Sequence, residues 1–85
     1  MVKMIVFHSG NPSWQSCKLA IGVANKMKEK FGDKIELNIY TNDAEEAKPY
    51  NLMSSTNVFV NDELVSRETA LDEKSMFNYL TEMIN

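Results

Sequence analysis

The sequence predicts one α/β domain, ordered β-α-β-α-β-β-α, built on a four-stranded mixed sheet flanked by helices. Three observations predict it. Residues 2–8 form a nearly continuous apolar run rich in β-formers, as a strand covered on both faces requires. Residues 17–31 place apolar side chains at helical spacing, and residues 57–66 read as two short strands around a tight turn. A chain of 85 residues has room for a single core, so the domain is expected to span 1–85 with no linker or repeat.

Each element has a local cause. Val2 to His8 suit a central strand, and Ser9-Gly10-Asn11-Pro12-Ser13 is a turn cluster. Either Asn11, with Pro12 at the first helical position, or Ser13 can cap the helix that follows. Cys17, Ala20, Ile21, Ala24, Met27 and Phe31 make one apolar stripe, which Trp14 extends toward the helix start. Gly32 is placed for a C-terminal cap. Ile35 to Tyr40 alternate apolar and polar, the period of a strand. Asn42 and Glu45 have the spacing of a capping box. The helix they open is expected to be short, because Pro49 disfavours helical geometry at Lys48.

Residues 50–56 read as a connector. Asn57 to Val60 and Glu63 to Ser66 are expected to pair around Asn61-Asp62 as a hairpin. Asp72 can cap a last helix whose Met76, Phe77, Leu80, Met83 and Ile84 form an apolar face. The first two strands flank a long helix, so they are expected to run parallel through a right-handed crossover. The hairpin then adds an antiparallel edge, with helices on both faces of the sheet.

Composition narrows the function. Twelve acidic and nine basic residues give a net charge of −3. Lys26, Lys28, Lys30 and Lys34 are interleaved with Glu29, Asp33 and Glu36, which makes a solvated face rather than a phosphate-binding stripe. Nucleic acid is not an expected partner. No apolar stretch approaches the roughly 18–20 residues of a membrane span, and no signal peptide is legible. The single cysteine cannot make an internal disulfide, so a cytoplasmic location is the default expectation.

No Gly-rich phosphate loop, nucleophile elbow or zinc spacing is present, so neither metal nor cofactor is expected. His8, at the end of the first strand, is a polar strand end or a base for Cys17 or Ser13. Cys17 is a buried core cysteine or a reactive thiol. Trp14 is a core cap or a recognition surface, its large amphipathic ring suiting either role. Met4, Met27, Met76 and Met83 fall on expected core faces and read as core filling.

Two stretches carry a family resemblance. Trp14-Gln15-Ser16-Cys17-Lys18 is similar to the Cys-x-x-Cys-Lys of thioredoxins and glutaredoxins. The stretch from Met53 through Ser54, Ser55, Thr56 and Asn57 to Val65 resembles their Ser-Thr-Pro-Thr-Val-Phe-Val-Asn-Gly segment. With the order of elements, the resemblance covers essentially the whole chain and implies a thioredoxin-like fold. It puts Trp14 at the attacking cysteine, Cys17 at its resolving partner, and Thr56 at the cis-proline.

The implied function is a binding or adaptor module without dithiol oxidoreductase activity. It would take a protein or peptide partner at the Trp14 turn, including Ser13, and at the Ser54–Thr56 loop, including Ser55 and Thr56. The alternative is monothiol exchange, with Cys17 as the catalytic residue and glutathione or another small thiol completing the cycle. Counted from Ser13 or Asn11 as cap, Cys17 is the fourth or sixth helical residue, where the helix dipole has faded. An open sheet edge also admits a homodimer.

Overall fold

A computed structural model describes residues 2–9, 15–50, 52 and 56–84, with the side chains of residues 15–17 left out. The elements are β1 (Val2–His8), α1 (Gln15–Phe31), β2 (Ile35–Thr41), β3 (Thr56–Val60), β4 (Glu63–Leu64), α2 (Arg67–Ala70) and α3 (Glu73–Ile84). Short 3₁₀ turns occupy Gly32–Lys34 and Glu45–Ala47. The four strands form one mixed sheet in the order β2-β1-β3-β4.

β1 lies at the centre, as its apolar run requires. It runs parallel to β2, with Val2 opposite Ile35 and His8 opposite Thr41. It runs antiparallel to β3, with Met4 opposite Val60 and His8 opposite Thr56. The β3–β4 hairpin turns at Asn61 and Asp62, whose φ angles are 49° and 68°. Two positive φ values define the turn whose twist matches paired strands, and Asn and Asp tolerate that region. Asn61 also ties the turn to β1: its amide donates to the Lys3 carbonyl at 2.8 Å, and its Oδ1 accepts from the Lys3 amide at 3.0 Å.

The alternation of side chains along β1 divides the core in two. Val2, Met4 and Val6 join Ala20, Ala24 and Met27 of α1 and Met76 and Leu80 of α3 in one cluster. Ile5 and Phe7 face the other way, against Phe59, Ala47, Tyr40, Tyr50 and Leu52. Both long helices therefore cover the same face, rather than one on each. The opposite face is covered by the segment around 44–52. Its aromatic rings pack closely, with Tyr50 4.6 Å from Phe59 and 5.2 Å from Phe7 between centroids. Residues 50 and 52, read from sequence as connector, belong to this second core.

Other expectations change in detail. The helix expected after Asn42 contracts to the 3₁₀ turn Glu45–Ala47, and Ala44 at its start supplies no side-chain cap. The last hairpin strand ends at Leu64 rather than Ser66, because Ser66 caps α2, accepting from the Thr69 amide. On α3, Met76 and Leu80 are fully buried, but Phe77 and Met83 are exposed. Phe77 instead stacks on Phe31 at 5.3 Å. Asp72 does cap α3: its Oδ2 accepts from the Ser75 amide at 2.9 Å and from the Ser75 hydroxyl at 2.7 Å. Gly32 ends α1 at φ 57°. There the Lys28 ammonium donates to the carbonyls of Gly32 and Ile35 at 3.0 and 2.6 Å, tying the last turn of α1 to the start of β2.

Candidate functional site

The site is built where the central strand stops. β1 ends at His8, and its neighbours on either side in register are Thr41 of β2 and Thr56 of β3. The His8 carbonyl accepts from the Asn42 amide at 2.7 Å, which fixes the exit of β2 against the exit of β1. The Thr41 hydroxyl donates to Asp43 at 2.6 Å, tightening the same corner. Behind it Asn57 is buried at 3 % exposure, opposite Phe7 in register. Ser9, the next residue along the chain, is exposed.

Of the residues expected to act, Thr56 lies at this corner as the first residue of β3, beside His8. Ser13, Trp14, Ser54 and Ser55 lie outside the described residues. Cys17 belongs to α1, and its side chain lies outside the described residues. Among the described residues no three His, Cys, Asp or Glu side chains come together to hold a metal ion. No described helix is long and apolar enough to cross a membrane.

Residues 27–84, more than half of the chain, match the family described as HSGNPxU motif selenoprotein TsoX. No curated protein matches the chain. The family match replaces the thioredoxin and glutaredoxin assignment drawn from Trp14–Lys18 and Met53–Val65. Those stretches resemble that family only locally, around one cysteine and without the proline at Thr56.

The motif in the family's description can be read directly onto this chain, where U denotes selenocysteine. His8-Ser9-Gly10-Asn11-Pro12 spells its first five residues, Ser13 stands at x, and Trp14 stands at U. Local chemistry marks residues 9–13 as a turn cluster, Ser13 as a binding candidate and His8 as a strand end or a base, but does not mark the run as one motif. The signal in the sequence is position: this cluster links the central strand to the chain's single tryptophan and single cysteine.

Proposed function

Because this chain belongs to the HSGNPxU motif selenoprotein family, we propose that it is a thiol–disulfide exchange protein acting at the end of β1, with Cys17 as its reacting thiol. One observation carries the reading: the family's selenocysteine position falls three residues before Cys17. That is the separation of the two sulfurs in Cys-x-x-Cys redox pairs.

In the chain as it stands, the Cys17 thiolate attacks one sulfur of a substrate disulfide. A mixed disulfide forms as the substrate's S–S bond breaks and one thiolate leaves. A small thiol such as glutathione then attacks the mixed disulfide and frees the second group. This cycle suits a reducing compartment such as the cytoplasm.

The test is the rate of Cys17 alkylation across pH, together with reduction of a small disulfide in the presence of glutathione. The expected thiol titrates below the ordinary value of about 8.5, and Cys17→Ser abolishes the reduction. A slowly reacting thiol of ordinary or raised pKa, with equal turnover by Cys17→Ser, overturns the reading.

A second reading is favoured by the register of His8 beside Thr56, which brings the motif's first residue next to the end of the Ser54–Thr56 loop. In that reading the Trp14 turn, with Ser13, and the Ser55–Thr56 segment bind an extended peptide without chemistry. With one tryptophan in the chain, indole fluorescence reports such binding directly. An emission spectrum unchanged on titration with extended peptides overturns this second reading.

A further inference from the structure

The residue at position 14 is the anomaly of this chain. Its family membership rests on residues 27–84, and the motif match rests on residues 8–13, so the two observations are independent. The first supplies the family and the second places the motif's selenocysteine at position 14, where the sequence has its only tryptophan. Selenocysteine and tryptophan share no chemistry. A site that loses selenium while keeping its function goes to cysteine, which retains a nucleophilic chalcogen; an indole retains none. They do share a codon: UGA specifies selenocysteine where the recoding machinery is present, and tryptophan in genetic codes that reassign it.

We infer that position 14 is encoded by UGA and is a selenocysteine in the native protein, forming a selenol–thiol redox pair with Cys17. The inference deepens the exchange reading above and rests on it for the role of Cys17. In chain order position 14 stands between β1 and the described part of α1, and Cys17 follows it by three residues. β1 delivers the motif from the centre of the sheet, and His8 is held there by pairing on both sides. The pair thus follows the end of the central strand in chain order, and Cys17 belongs to the long helix that packs on the sheet.

The pair also closes a cycle that Cys17 cannot complete alone. The selenolate attacks one sulfur of a substrate disulfide; a Se–S bond forms, the S–S bond breaks, and one thiolate leaves. The Cys17 thiolate then attacks selenium, forming an internal selenenylsulfide and releasing the second substrate thiolate. The substrate gains two electrons and is reduced to two thiols, while the selenol–thiol pair is oxidised. A dithiol reductant restores the pair by the same exchange in reverse.

The experiment reads the codon and the residue separately from activity. The expected result is TGA at codon 14 in the genomic DNA, and selenium in the peptide containing position 14 when the protein is isolated from its native source. TGG at codon 14, or TGA with a tryptophan-containing peptide, overturns the inference. Disulfide reduction by the native protein, by Trp14→Cys and by Cys17→Ser then separates the two claims. A TGG codon with Cys17-dependent reduction removes selenium and leaves the exchange reading standing. A selenium-containing peptide in a protein without Cys17-dependent reduction does the opposite. With both claims correct, Trp14→Cys reduces disulfides at least tenfold faster than the tryptophan form.

Discussion

The Tyr50 hydroxyl donates to Asp62 Oδ1 at 2.6 Å, joining the cover over the second sheet face to the turn of the β3–β4 hairpin. The bond links parts of the chain that local sequence does not connect. It also holds the Tyr50 phenol above its ordinary pKa of 10.0, first through the hydrogen bond to Asp62 and then through burial. A group whose folded pKa is raised stabilises the fold fully below its unfolded pKa, and that contribution fades as pH rises through the folded value. The melting temperature of the wild type should therefore fall more steeply than that of Tyr50→Phe between about pH 9 and about pH 12. Asp62→Asn keeps a residue that tolerates positive φ while removing the carboxylate, and should bring the Tyr50 titration down. Parallel melting curves for wild type and Tyr50→Phe across that range would show that the bond contributes nothing.

Gly32 offers a clean measure of backbone conformation. At φ 57° it sits in the left-handed region, and a Cβ added there meets nothing within 4 Å. Gly32→Ala should destabilise by about 1 kcal/mol from conformation alone, and Gly32→Asn by less. Denaturant unfolding would show this as a lowered midpoint with an unchanged slope. A neutral Gly32→Ala would mean that the end of α1 adjusts without cost.

Leu80 and Phe77 test how α3 divides its apolar residues. Leu80 is fully buried between α3 and the sheet, whereas Phe77 is 39 % exposed and stacks on Phe31. Leu80→Ala should cost about 2–5 kcal/mol through lost burial and the cavity left behind. Phe77→Ala should cost about 1 kcal/mol, the worth of an exposed aromatic pair. Equal losses in denaturant unfolding would contradict this division.

The chain's local chemistry determined much of this protein. Helical spacing from Ala20 to Phe31 defined α1, Gly32 ended it, and Asp72 opened α3. Asn61-Asp62 marked the hairpin, and the uninterrupted apolar run of β1 marked it as the central strand. The motif at residues 8–13 was likewise written out in the sequence, although its meaning came from comparison with the family rather than from periodicity. Only the tertiary structure decided where the helices went and what covered the sheet. Periodicity shows that a helix has an apolar face but not which side of the sheet receives it, so α1 and α3 sharing one face could not be read from either. Tyr50 and Leu52 looked like connector because they have no local periodicity. Their burial comes from Phe7 and Phe59, which the register of β1 against β3 brings together from positions 52 residues apart. The corner formed by His8, Thr41 and Thr56 has the same origin, since strand pairing alone joins three residues distant in sequence beside the start of the motif.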